Sequence, residues 1–144
     1  CSAGAASTTS DDDLIKKMWL FGEKLGIAFQ IKDDLFDYND DDIGKPRGID
    51  IKEKKMTLPL IYSLNKTDRT IKNKIINYIK NESENDGRVK EVIAFVKQTG
   101  GLEYAEKVMR NYQNEAIEIL ESFPQNEARE SLKQLVFFFT SRKN

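Results

Sequence analysis

The sequence predicts an all-α protein, a bundle of antiparallel helices joined by short loops. Three observations predict this. Apolar residues recur mostly at helical spacing and rarely alternate. Capping residues and Gly or Pro breaks divide the chain into pieces of helix length. The 144 residues are 39% hydrophobic and 33% charged, which suits one domain with a modest core.

The elements follow in order. Cys1-Ser2-Ala3-Gly4-Ala5-Ala6-Ser7 is made of small residues, as in a closely packed helix, and no Met precedes it. A truncated or processed chain is the expectation that follows. Thr9-Ser10-Asp11 is suited to cap a helix from about Asp12 to Tyr38. Asn39 to Met56 reads as a loop, rich in Asp and Gly and containing Pro46. Thr57 is placed to cap a short helix with Pro59 in its first turn. Thr67-Asp68 opens the next helix, with Ile71, Ile75, Ile76 and Ile79 on one stripe, and Asp86-Gly87 is expected to break it. Val89, Val92, Ile93 and Val96 mark another helix, stopped by Gly100-Gly101. Tyr104 to Leu120 is helical, Pro124 interrupts, and a last helix covers about Asn126 to Ser141.

Composition removes several classes of function. The net charge of −1 gives no reason to expect nucleic-acid binding. With no His and one Cys, His-based triads and ordinary zinc sites are excluded. No disulfide framework is possible within the chain, which favours a reducing compartment and makes the cytoplasm the expected location. No apolar run approaches the roughly 18 residues of a membrane span, and no signal peptide is visible. The charge is uneven, however. The first fifty residues carry −5 and the remaining ninety-four +4, so a cation site is expected in the acidic first third.

That site is sought in Gly22 to Tyr38, GEKLGIAFQIKDDLFDY. At about 100° per residue, Gln30, Asp33, Asp34 and Asp37 share an arc of about 100°. Leu25, Phe29 and Phe36 flank it on one side. Ile27, Ile31, Leu35 and Tyr38 flank it on the other, and Lys24 and Lys32 are assigned to the solvated edge. A solvated acidic face would lie opposite the apolar stripe. Here the acids lie between two apolar flanks, so Gln30, Asp33 and Asp37 are expected to line a cavity. Like charges four apart repel, and inward carboxylates drift toward the neutral form. A hard divalent cation such as Mg²⁺ removes both problems. The competing reading is an acidic surface turn. Gly22 and Gly26 fall on the same side, either for helix packing or for the approach of a ligand.

The following loop, Asp40-Asp41-Asp42-Ile43-Gly44-Lys45-Pro46-Arg47-Gly48-Ile49-Asp50, is succeeded by Lys52, Lys54 and Lys55. Acids followed by lysines suit a metal-bridged diphosphate, with the acids on the cation and the lysines on the anion. A solvated charged loop is the alternative. An EF-hand fails, because Asp42 stands where its sixth position needs Gly and Gly48 where its twelfth needs Glu.

Gly22 to Leu60, GEKLGIAFQIKDDLFDYNDDDIGKPRGIDIKEKKMTLPL, resembles the signature of trans-isoprenyl (polyprenyl) diphosphate synthases. That signature runs G-x-x-x-G-x-x-F-Q-x-x-D-D-x-x-D, then G-K-x-x-G-x-D, then K-x-T-x-P. Cys1–Ser7, Gly100 to Ala105 and Ala128 to Arg142 resemble further helices of that family. The resemblance covers nearly the whole chain, residues 1–144, as the C-terminal half of such an enzyme. It implies part of an isoprenoid synthase fold. Asp33, Asp34 and Asp37 match the second aspartate-rich motif, with Asp33 the principal Mg²⁺ ligand. Gln30 matches a polar residue facing the allylic substrate, and Lys45 and Lys55 match lysines that hold its diphosphate. These three are the residues the resemblance assigns to catalysis. Asp50 matches a loop aspartate that orders the substrate-binding region.

The implied reaction condenses isopentenyl diphosphate with an allylic diphosphate. Diphosphate departs, the homoallylic double bond attacks the carbocation, and a proton is lost. Mg²⁺ and the lysines stabilise the departing charge. A homodimer is the implied assembly of the full enzyme. The family's first aspartate-rich motif and its upstream basic elements are missing, so little or no turnover is expected from this chain alone. Apolar surface that other helices would cover is expected to be exposed. The alternatives are a non-catalytic helical subunit of a heteromeric prenyl synthase and a plain helical interaction module. A class I terpene cyclase lacks support, since its second metal motif is not found.

Overall fold

The computed structural model describes residues 1–38 and 48–141. Among them the chain forms α1 (Ser2–Ala6), α2 (Asp12–Phe36), α3 (Ile49–Lys52), α4 (Leu58–Asn65), α5 (Arg69–Asn81), α6 (Asp86–Gln98), α7 (Gly101–Glu121) and α8 (Glu127–Ser141), and no strand. The all-α expectation holds. Contacts group the chain into two compact units, one of Cys1–Lys32 with Val108–Lys143 and one of Asp33–Lys107. The division falls within α2 and α7.

In the first unit, α2 starts where its cap requires. The Asp11 carboxylate accepts the N–H groups of Asp13 and Leu14 at 3.0 and 3.2 Å, satisfying donors that an opening turn leaves free. Phe21, Ala116, Leu120 and Val136 form the buried cluster, with Met18, Leu25, Ile117, Ile119 and Leu132 packed around it. Phe21, Ala28 and Ile31 recur at helical spacing along the buried stripe of α2. That spacing corrects the expectation for Lys24 and Lys32, which are half-buried rather than a solvated edge. Lys24 lies three residues after Phe21 and four before Ala28, on the inner stripe. Its ammonium pairs with Glu115 at 2.7 Å and lies 5.1 Å from the centre of the Tyr112 ring. Gly22 faces the side chain of Cys1, whose Cβ would be 3.2 Å from a Cβ placed there, whereas Gly26 faces nothing within 4 Å. Of the two glycines, only Gly22 serves close packing. At the start of α8, Asn126 accepts the Arg129 N–H at 2.8 Å, and Arg129 Nη1 donates to the Phe123 carbonyl at 2.9 Å.

The second unit carries the larger apolar cluster. Tyr38, Ile51, Leu60, Leu64, Ile75, Tyr78, Ile79, Val89, Val92 and Val96 bury one another. Asp68 caps α5 by accepting from Thr70 and Ile71 at 2.7 and 3.0 Å. Of the isoleucine stripe, Ile75 and Ile79 are buried, while Ile71 is exposed. Asp86-Gly87 does not break the chain as the sequence suggests. The break is Glu82–Asn85, and Asn85 caps α6 by accepting from Gly87 and Arg88 at 2.9 and 3.3 Å. Asp86 then opens the helix, where its charge favours the positive end of the dipole. Gly100, at φ 76°, ends α6, and Gly101 already begins α7. A Cβ at Gly101 would lie 2.6 Å from the Pro59 carbonyl oxygen, so the residue allows α7 to approach α4. Arg88 ties α5 to α6. Its Nε donates to Glu82 at 2.9 Å, and its Nη1 to Glu91 and the Tyr78 hydroxyl at 2.6 and 3.0 Å.

Two further differences concern the expected loop from Asn39 to Met56. Residues 49–52 form α3, whose Gly48 N-cap has φ 70° and is packed so closely that a Cβ would run into Val89. Thr57 occupies the N-cap of α4, with Pro59 in the first turn as expected, but its side chain makes no capping bond.

Candidate functional site

The acidic end of α2 leads directly into the segment that carries the lysines. The helix ends at Phe36, and the Tyr38 N–H closes a tighter turn on the Leu35 carbonyl at 3.3 Å. Asp37 therefore lies just past the helix, half-buried. Its Oδ1 accepts the Ile49 N–H at 2.8 Å and its Oδ2 the Asp50 N–H at 3.2 Å. One carboxylate thus satisfies two of the N–H groups that α3 leaves unpaired in its opening turn. Burial, and then the neighbouring Asp50 carboxylate, push the Asp37 carboxyl above its ordinary value; the two backbone donors oppose that rise.

Asp50 continues the chain of contacts. It accepts from Lys55 Nζ at 2.9 Å, and Glu53 lies 2.7 Å from the same ammonium. Glu53 first and then Asp50 hold the Lys55 ammonium well above the ordinary lysine range. Asp34 reaches the far side of the segment, where its Oδ2 accepts the Leu58 N–H at 3.3 Å. Asp33 is half-buried. Lys52 pairs instead with Asp86 at 2.7 Å, away from this set.

The residues singled out in the sequence are thus divided. Asp37, Asp50 and Lys55 come together, and Asp34 joins them through Leu58. Gln30 is exposed, whereas Asp33 and Asp37, expected with it to line a cavity, are half-buried. The buried stripe of α2 runs through Ile31 and Leu35, and Gln30 lies about 100° or more around the helix from it. Lys45 lies outside the described residues. Two participants were missed as such: Tyr38, whose hydroxyl is 2.6 Å from Thr57 Oγ1 in a buried contact, and Thr57 itself, read as a cap. The sequence held a signal for both, since Tyr38 directly follows the aspartate motif and Thr57 is the threonine of K-x-T.

The donor chemistry here is all carboxylate, which suits a hard divalent cation. A carboxylate that accepts one backbone N–H on each oxygen retains lone pairs for a metal. Among the described residues, no group of three or more acids or cysteines converges on one point. Asp34 and Asp37 are turned to the backbone of the lysine segment.

A family model described as polyprenyl synthetase matches residues 1–96, two thirds of the chain, and the chain belongs to that family. The chain is 30% identical, over 99% of its length, to heptaprenyl diphosphate synthase component 2 of Geobacillus stearothermophilus, of which it covers 44%. The geranylgeranyl pyrophosphate synthase of Bacteroides thetaiotaomicron superposes with a TM-score of 0.89 at 35% identity, over 98% of this chain and 47% of that one. A polyprenyl synthase from Caulobacter crescentus, solved with calcium and isoprenyl diphosphate, gives 0.83 at 28% identity, over 99% and 44%. The fold is that of part of a helical isoprenoid synthase. The chain spans less than half the length of these relatives. Among the described residues, no helix is long and apolar enough to cross a membrane.

Proposed function

We propose that this chain is the C-terminal half of a prenyltransferase that condenses isopentenyl diphosphate with an allylic diphosphate. Asp33, Asp34 and Asp37 would hold Mg²⁺, and Lys55 with Lys45 would hold the diphosphate. Gln30 and Asp50 complete the substrate side. The observation that carries this reading is the continuity of the site: Asp37 grips the backbone of Asp50, and Asp50 grips Lys55. Carboxylates suited to a cation and a lysine suited to an anion belong to one built segment.

Bound Mg²⁺ would supply Lewis-acid stabilisation of the leaving diphosphate. The lysine ammonium adds charge-assisted hydrogen bonds to its oxygens. Lys55 already carries two carboxylate partners, which leaves its ammonium one further N–H for an incoming diphosphate, and displacing a carboxylate would free a second. Glu53 is the one to yield, because Asp50 is fixed by Asp37 while Glu53 is exposed. The elements needed for turnover exceed this chain, and binding rather than catalysis is what it performs alone. The cytoplasm is the compartment proposed.

The test is calorimetric titration of the chain with inorganic diphosphate, with and without Mg²⁺, beside an Asp33→Ala/Lys55→Ala variant. Mg²⁺-dependent binding that the variant loses is the expected result. Equal heats from both proteins would remove the reading. A second reading, a subunit of a prenyl synthase assembly, draws on the words "component 2" in the names of two relatives. A pair of identical chains and a pair of unlike chains are its two forms, distinguished by light scattering of the chain alone.

A further inference from the structure

Tyr38 is buried to 1% exposure, its hydroxyl included in a buried contact. A phenylalanine would fill the same apolar volume without the cost of burying a polar group. Among the described residues the hydroxyl meets Thr57 Oγ1 at 2.6 Å, a contact that spans nineteen residues of sequence. Thr57 stands at the N-cap of α4, where a threonine ordinarily accepts from its own helix. It makes no such bond. Its hydroxyl is given to Tyr38 instead.

The contact lands two residues beyond Lys55. On the near side of Lys55, Asp37 holds Ile49 and Asp50; on the far side, Tyr38 holds Thr57 and Asp34 holds Leu58. The lysine segment is therefore fixed at both ends to the end of α2. Between the two fixed ends the chain makes a strained turn. Lys54 has φ 61°, a left-handed conformation that disfavours any residue with a Cβ. The Lys54 N–H donates to the Ile51 carbonyl at 3.0 Å and the Lys55 N–H to the Asp50 carbonyl at 2.8 Å, closing a helix end of the kind that usually employs glycine. Such strain persists where the surroundings over-determine it, and the two fixed ends provide that constraint.

We infer that Tyr38 is a positioning residue: by holding Thr57 it fixes the chain that leaves the Lys54 turn and so helps set the direction of the Lys55 ammonium. The inference rests on the proposed function for its ligand, inorganic diphosphate, but not for its geometry.

Two readouts on the 144-residue chain test it. The first is amide hydrogen exchange at Lys55, compared with Ile79 and Val92 in the core. Tyr38→Phe and Thr57→Val are each expected to speed exchange at Lys55 by about tenfold, the loss of one buried hydrogen bond. The two together should do no more than either alone, Thr57→Ser should stay near the unsubstituted chain, and the core amides should be unchanged. The second is the affinity for inorganic diphosphate in Mg²⁺. It should fall by about tenfold in Tyr38→Phe and not at all when Tyr38→Phe is added to Lys55→Ala. Unchanged exchange at Lys55 overturns the inference. So does an affinity loss of the same size with Lys55 removed, which would mark Tyr38 as a general support of the fold. If Tyr38→Phe does not fold, the contrast between Thr57→Val and Thr57→Ser decides. If the unsubstituted chain does not bind diphosphate, the proposed function fails, and hydrogen exchange still judges the positioning.

Discussion

The two compact units are built from similar helices but are held together by different means. Asp33–Lys107 is one continuous stretch of chain, whereas the other unit joins Cys1–Lys32 to Val108–Lys143. The continuous unit packs Ile, Leu and Val from α4, α5 and α6 around Tyr38 and Ile51, and it adds polar ties at Asp37, Thr57 and Arg88. In the split unit, Phe21, Leu120 and Val136 are buried, but their neighbours Met18, Leu25 and Leu132 are only half so. Trp19, Leu135, Phe137 and Phe138 are exposed there, as Met56, Ile61 and Ile71 are in the continuous unit. The lesson is about the cost of order. Contacts within a continuous stretch close short loops, while contacts between distant stretches must first overcome a longer closure. The candidate site is built on the unit whose ordering depends least on remote chain.

The largest test of that contrast uses the same substitution in both units. Leu60 and Leu120 are each buried to 1% exposure or less. Leu60→Ala is expected to cost about 4 kcal/mol, because Leu60 lies among neighbours that are themselves buried and cannot close a cavity. Leu120→Ala is expected to cost about 2.5 kcal/mol, since its half-buried neighbours can move inward. Urea titration of both variants measures the difference. Equal costs would mean the two clusters are equally rigid, and the contrast would fail.

A smaller effect of opposite sign is expected at the lysine turn. Lys54→Gly removes a left-handed Cβ and is expected to stabilise the chain by about 1 kcal/mol. The midpoint of unfolding should rise without a change in slope. A loss of stability would show that the Lys54 side chain contributes more than its backbone costs.

The smallest effect concerns Arg88, which pairs with Glu91 within α6 besides joining that helix to α5. The Arg88 guanidinium holds the Glu91 carboxyl below its ordinary value. A depressed carboxyl contributes stability above its unfolded pKa and loses it as pH falls through the folded one. The difference in melting temperature between the unsubstituted chain and Arg88→Gln should therefore be full near neutral pH and shrink below about pH 4. It should not vanish, because Arg88 also lies 4.3 Å from the centre of the Tyr78 ring. A difference that stays constant with pH would mean that the Glu91 pair adds nothing and would leave the ring and hydroxyl of Tyr78 as the tie.

Helix-by-helix, much of this was legible in the amino-acid string. Asp11 and Asp68 were legible as caps because a cap is a local bond, made within three residues of itself. The continuity of Asp34 and Asp37 with a lysine segment was legible because motif residues are written in order along the chain. Other readings failed where two local signals competed. Asp86-Gly87 reads as a breaker, yet Asn85 just before it captures both following N–H groups, and the pair becomes the opening turn of α6. Lys24 reads as solvated by its charge, yet it lies on the stripe defined by Phe21 and Ala28.

By itself, then, the sequence determined the helical class, most helix starts and the family to which the site residues belong, since all of these depend on neighbours a few residues apart. Only the tertiary structure decided that Asp37 spends its carboxylate on the backbone of α3 and that Thr57 pairs its hydroxyl with Tyr38 rather than with its own helix. Each of those outcomes depends on which remote group reaches a donor or acceptor first. A hydrogen-bonding side chain has several partners within reach of its local conformation, and packing of distant segments selects among them.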